Sequence, residues 1–306
     1  MIHISNEHEN FNSETNIQLS EAISHEVLEE RYNLNINDKK KQIIKNYSRR
    51  LVIVTGDKGG VGKSTFARGL VQTYIDGGIR FVGFDADTSN SQLLRFYGQS
   101  CDIQHLNIFK SGKIDKFFDQ LKKMIDPEAD TYSQTPTPES LFLLELPPQS
   151  RQILQKFIQQ MNFLEIAEVD YDIRITMVVV ISRVFDSINQ LIDLYGFCGN
   201  NVDYVVVKNL FFGEQDEFTR YEKSPEIQAI KDKLKEQRSP FFNITMPELI
   251  EHAYDYLDEH SYTFKQGMEQ RDLPSVKGRV TNWIRTFKEQ IEPVKNLLGL
   301  DGVELS

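Results

Sequence analysis

The stretch 51-LVIVTGDKGGVGKST-65 decides how the rest of the chain is read. Leu51, Val52, Ile53 and Val54 form an unbroken apolar run, which predicts a strand covered on both faces rather than a half-solvated one. It passes through a glycine-rich loop into KSTFARGLVQTYIDG, a helical segment. Gly59, Gly60 and Gly62 let the backbone curl until successive N–H groups point at one place. The helix starting near Lys63 turns its dipole-positive end toward the same place. Strand, glycine loop and helix in that order are the setting of a phosphate-binding loop.

The side chains complete that reading. Lys63 is placed to supply a point charge to β- and γ-phosphates, Ser64 a hydroxyl to Mg²⁺, and Thr65 a hydroxyl near the α-phosphate. A chance glycine-rich turn is the bland alternative. Seven constrained positions arise by accident in about one chain in 10⁴, so the functional reading prevails.

Outward from the loop, short apolar runs alternate with longer amphipathic stretches. The runs are 51–56, 80–86, 103–109, 141–146, 174–181, 202–207 and 241–246. Such βαβα alternation predicts an α/β, doubly wound, mostly parallel sheet of about seven strands with helices on both faces. Ligands of that fold bind beyond the carboxyl ends of the strands. Segment 126–140, rich in Pro, Thr and Ser, reads as an exposed loop.

Composition sets the outer limits. The 306 residues include 40% apolar residues, 20 Phe and 12 Tyr, enough for a sizeable core. A net charge of −10 argues against a surface coated for DNA binding, though local basic patches survive. Cys101 and Cys198 form no CxxC and no metal-spaced cluster, so neither a disulfide framework nor structural zinc is expected. The first twenty residues hold no apolar core of a signal peptide, and no 18-residue apolar span occurs. A cytoplasmic protein without a membrane partner is the expectation.

One departure narrows the class. The general pattern GxxxxGK[ST] wants glycine at 57, where this chain has Asp57; it carries Lys58 just before the glycines instead. KGGVGKS resembles the deviant Walker A signature of the ParA/MinD family of P-loop ATPases. The resemblance implies that Lys58 reaches across a dimer interface to phosphates held by the other subunit. It also implies a contact set of Lys58, Gly59, Gly60, Val61, Gly62, Lys63, Ser64 and Thr65 for ATP and Mg²⁺.

Three later motifs extend the resemblance. FDADTSNSQ (84–92) matches a D-x-D first switch, with Asp87 orienting the attacking water and Asp85 near magnesium. LLELPPQS (143–150) resembles the second switch, with Glu145 where the family usually has aspartate. Its carboxylate sits one methylene further out, which bears on metal geometry and rate. Two carboxylates beside a phosphate site require a cation between them. In VVVKN (205–209), Asn209 stands where family members read the adenine edge, since an amide offers both donor and acceptor.

The order of VVVKNLFFGEQDEF and the segment after SPFFNITMPEL looks most like plasmid conjugation or mobilisation ATPases of the TraL kind, with partition ATPases second. The expected organisation is a polar, partly helical extension over 1–48, a P-loop ATPase domain over 49–300 and a tail over 301–306. Within the extension, 19–34 has helical spacing and 38–50 is basic. Trp283, Ile284, Phe287, Ile291, Val294 and Leu298 share a helical face that should pack on the core, since the opposite face lacks the basic character of a membrane-surface helix. An iron–sulfur role would need cysteine motifs that are absent.

The resemblance thus implies an ATP-hydrolysing dimeric switch in plasmid mobilisation, conjugal transfer or partition. Its partners would be a second subunit, non-specific DNA, or a protein of the transfer or partition machinery. A nucleotide-gated interaction module with little turnover is the alternative. A P-loop kinase or ligase ranks third, because Lys58 has no task there.

Overall fold

A computed structural model describes residues 47–56, 58–108, 113–126 and 139–305. The helix expected at 19–34, most of the basic run, Asp57 and most of the 126–140 loop lie outside the described residues.

The seven apolar runs become seven strands: β1 (Arg49–Thr55), β2 (Val82–Asp85), β3 (Ile103–His105), β4 (Leu141–Glu145), β5 (Ile173–Ile181), β6 (Asp203–Asn209) and β7 (Phe241–Met246). They form one sheet in the order β3-β2-β4-β1-β5-β6-β7. Every pairing is parallel. Parallel neighbours require crossover connections, and helices supply them. The described helices are α1 (Lys63–Asp76), α2 (Gln92–Tyr97), α3 (Lys113–Ile125), α4 (Arg151–Met161), α5 (Phe163–Val169), α6 (Phe185–Cys198), α7 (Thr219–Glu222), α8 (Pro225–Glu236), α9 (Glu251–His260), α10 (Phe264–Met268) and α11 (Pro274–Ile291).

Alternate residues of each strand feed opposite cores, as the pleat dictates. Leu51, Ile53, Phe142, Leu144, Ile175 and Met177 join Phe117, Phe118, Leu154, Phe157 and Leu191 on one face. Val52, Val54, Leu141, Leu143, Val178 and Val180 join Phe66, Leu70, Tyr74, Trp283 and Phe287 on the other. Burial on both faces is why these runs read as continuous rather than alternating.

The six apolar residues picked out at 283–298 are all buried. Trp283 stacks between Phe264 and Phe287, with ring centroids 4.6 and 5.1 Å away. Its indole N–H donates to the Pro247 carbonyl at 2.7 Å, which satisfies the one polar atom of a deeply buried ring. Leu300 and Leu305 extend the same core beyond the helix.

β1 begins at Arg49, two residues earlier than its apolar run. Arg49 and Arg50 pair with Ile173 and Leu141 in the ladder, and their side chains are held as well: Arg50 and Arg174 each reach the nearly buried Asp203 at 2.8 Å, and Arg49 donates to the Tyr171 carbonyl at 3.0 Å. The last two cations of the basic run are therefore tied down at the amino-terminal ends of the central strands. Among the described residues, no helix is long and apolar enough to cross a membrane.

Candidate functional site

The register of β1, β4 and β2 brings the expected site residues together. Glu145 lies opposite Val54 on one side and Asp85 on the other, so two carboxylates end adjacent strands beside the glycine loop. The loop enters α1 through Gly62, at φ 100°. That left-handed conformation strains any side chain, and a Cβ there would meet Asn209 and lie 2.9 Å from Met246 Cε. Glycine is required twice, by conformation and by space.

Lys63 is buried in the first turn of α1, and its Nζ donates to the Lys58 carbonyl at 3.2 Å. The ammonium thus lies across the loop it is expected to serve. Next to it, the Ser64 hydroxyl donates to Glu145 Oε1. Glu145 is 1% exposed, and its other oxygen, Oε2, has no hydrogen-bond partner. Burial pushes this carboxyl up to about 8, with Asp85 and Asp87 adding to the rise and Ser64 and Lys63 opposing it. An orphaned carboxylate oxygen beside a serine hydroxyl fits a hard cation, which takes oxygen ligands and relieves the desolvation cost. No group of three or more His, Cys, Asp or Glu stands ready to hold an ion among the described residues.

Asp85 is buried, with both oxygens engaged. Oδ1 accepts from the Asp87 backbone N–H at 3.1 Å and Oδ2 from that of Leu94 at 3.0 Å. Burial raises its pKa, and those two N–H groups oppose the rise. Asp85 therefore ties the end of β2 to the first turn of α2. Asp87 caps its own loop: Oδ1 accepts from Ser89 N, Ser89 Oγ and Asn90 N at 3.1, 2.6 and 3.2 Å.

Asn209 does something the sequence did not announce. Its Nδ2 donates to the Val61 carbonyl at 2.9 Å, and its Oδ1 accepts from Phe211 N at 3.1 Å. The buried amide clamps the glycine loop to the end of β6. Lys58, Gly59 and Gly60 are exposed. With Val61 they line a cleft of about 490 Å³ whose far wall includes Ser182, Arg183, Phe212, Glu217 and Arg220. Sequence reading passed over this wall. The available signal was its position, just beyond the carboxyl ends of β5 and β6.

A seven-stranded parallel sheet with helices on both faces, and a glycine loop at its strand ends, defines a P-loop type of nucleotide-binding fold. The chain belongs to the family described as CobQ/CobB/MinD/ParA nucleotide binding domain, which matches residues 52–260. It is 23% identical over 248 residues to Protein MobD of Acidithiobacillus ferrooxidans, covering 81% of this chain and 98% of that protein. Among solved structures it resembles the MinD cell division protein of Aquifex aeolicus, at 15% identity and TM-score 0.41, over 79% of this chain and 97% of the other. A putative plasmid partition protein of Borrelia burgdorferi bound to AMPPNP is similar at 12% identity and TM-score 0.41, over 81% and 99%.

Proposed function

We propose that this chain is a Mg²⁺-dependent ATPase that works as an ATP-switched dimer in plasmid mobilisation, conjugal transfer or partition. The observation that carries the reading is the Ser64–Glu145 junction, with its unpartnered Oε2, at the mouth of the glycine loop. The family and the mobilisation and partition proteins similar to the chain support the setting.

Each residue has a task in this reading. Backbone N–H groups of Gly59 to Thr65 receive the phosphates, and Lys63 shifts its ammonium from the Lys58 carbonyl to the β- and γ-oxygens. Ser64 and Glu145 hold Mg²⁺, with Asp85 beside them; the ion supplies charge neutralisation at the transferred phosphoryl group. Asp87 orients the attacking water once the 87–90 turn loosens. Asn209 faces the base side of the loop while it holds Val61. Lys58 reaches the phosphates of the second subunit. A protein of the transfer or partition machinery, or non-specific DNA, is the dimer's partner.

The test is light scattering with ATP and Mg²⁺, with ADP, and with no nucleotide. ATP is expected to raise the molar mass from one subunit to two. Lys58→Ala should bind a fluorescent ATP analogue normally yet fail to dimerise stably or hydrolyse. Hydrolysis at the normal rate by that variant removes the dimer reading.

A nucleotide-gated interaction module with little turnover is the second reading. The observation favouring it is the pairing of a buried Glu145 carboxyl, which burial keeps protonated up to about 8, with an Asp87 engaged in its own turn. Steady-state turnover near zero, with intact ATP-dependent dimerisation, would establish it.

A further inference from the structure

Asn209 ends a strand whose seven residues are all buried, and it is itself 5% exposed. Its amide is held at both ends. Oδ1 accepts from Phe211 N at 3.1 Å, capping the short helical turn Leu210–Phe212. Nδ2 donates to the Val61 carbonyl at 2.9 Å. The reversed amide would set N–H against N–H and oxygen against oxygen, so the two partners fix which end faces the glycine loop. Met246 pairs with Asn209 across the β6–β7 ladder, and its Cε bounds the same space beside Gly62.

The Val61 carbonyl and the Gly62 N–H belong to one peptide group. That group is planar and trans, so its C=O and N–H point in opposite directions. Holding the carbonyl on Asn209 therefore turns the Gly62 N–H away from the end of β6. The next peptide is held too, because the Gly62 carbonyl accepts from Phe66 N at 3.0 Å in the first turn of α1. Of the two, the Val61–Gly62 peptide is the one that helix formation does not fix. It can turn about the Gly62 φ, now 100°, and glycine resists that turn least of all residues. The Asn209 amide is what stops it.

We propose that Asn209 is a positioning residue for the phosphates: by holding the Val61 carbonyl it aims the Gly62 N–H at a bound phosphate oxygen, whichever base the nucleotide carries. The inference rests on the nucleotide site proposed above and gives Asn209 a part in it distinct from reading the base. A loop peptide fixed before the ligand arrives spares part of the ordering cost of binding. The hydrogen bond it offers to an oxyanion is of the stronger, charge-assisted kind. Side chains of the same shape cannot do this. Aspartate would set an oxygen against the Val61 carbonyl, and leucine would leave that carbonyl buried without its donor.

Asn209→Ala is compared with the wild type by calorimetric titration with AMPPNP, GMPPNP and inorganic triphosphate, each with Mg²⁺. Every affinity measurable in the wild type should fall by one common factor, about tenfold for the loss of one hydrogen bond. Glycine-selective ¹⁵N spectra at saturating AMPPNP give the second readout. The Gly62 amide should shift on binding in the wild type, and the variant should lose most of that shift. A fall for AMPPNP alone, with GMPPNP and triphosphate unchanged, overturns the proposal in favour of base recognition. Unchanged affinities overturn it as well. So does a Gly62 shift as large as in the wild type, since a merely structural role would leave that response intact while lowering the thermal midpoint. Where the wild type binds only AMPPNP, the Gly62 shift decides. A wild-type chain that binds none of the three overturns the nucleotide site itself, a failure distinct from that of Asn209. Should Asn209→Ala not fold, Asn209→Leu, which keeps the volume, carries the same comparison.

Discussion

Glu145 accepts a hydrogen bond directly from the Ser64 hydroxyl. Burial then raises its pKa from 4.5 to about 8. Between those values the folded chain keeps a proton that the unfolded chain releases, so stability present at low pH is lost as pH rises through about 8. The nucleotide-free protein should therefore show a lower thermal midpoint at pH 8 than at pH 5.5. Glu145→Gln should flatten that slope, because its side chain does not titrate, and an unchanged slope would show that the group ionises freely. Asp87→Ala belongs to the same scale: nucleotide binding should survive while turnover falls by about 10²–10⁴-fold. Single-turnover and equilibrium binding measurements separate the two, and turnover within a few-fold of wild type would remove Asp87 from the chemistry. The loop residues were legible because their spacing is local. The clamp of Asn209 on Val61 spans 148 residues of sequence, and no local spacing encodes it.

At the level of elements, α1 connects the site to the carboxyl-terminal helices. Arg68, one turn beyond Ser64, is 1% exposed, and its Nε and Nη2 have no hydrogen-bond partner. Burial lowers its pKa. Its guanidinium lies 3.5 Å from the Phe96 ring centroid of α2 and 5.2 Å from that of Phe264 in α10. A buried cation held mainly by ring faces is costly to desolvate, while its length fills the space between three helices. Arg68→Met keeps most of that length and should leave the thermal midpoint unchanged or higher. A clear fall would mean that the attraction of the ring faces exceeds the desolvation cost. Sequence placed Arg68 on a helix and went no further, since its surroundings come from residues 28 and 196 positions away. The face of α11 was legible by contrast: Trp283, Ile284, Phe287 and Ile291 at helical spacing have few ways to avoid water, and Val294 and Leu298 continue the buried stripe in the 3-10 helix Glu292–Leu298 that follows.

For the whole molecule the question is where the positive charge of a chain with net charge −10 remains available. Of the set 277, 279, 285 and 288, Lys288 pairs with Asp76 at 3.0 Å and Arg285 with Glu289 at 2.6 Å. Lys277 and Arg279 stay exposed. Arg49 and Arg50 are engaged at the sheet edge. Among the described residues these two sets leave few free cations, so a monomer is expected to have negligible affinity for duplex DNA, whereas a dimer would double each patch and phosphate contacts would add. The expected outcome is weak, sequence-insensitive binding only with ATP. It should be visible in a gel shift at ~50 mM salt and lost at ~200 mM. No shift at the lower salt assigns the switch to a protein partner instead.

What the amino-acid sequence determined by itself was whatever depends on neighbours along the chain: seven buried strands, a glycine loop entering a helix, and the amphipathic face that covers the sheet. Periodicity and backbone freedom are local properties, so they show in a window of ten or twenty residues. Tertiary structure alone decided the pairing of Glu145 with Ser64, the occupation of both Asp85 oxygens and the Asn209 clamp on the loop. It also decided the arginine and phenylalanine wall across the cleft. Each of these joins segments that only sheet order brings together, and burial, not residue type, sets the charge state that follows.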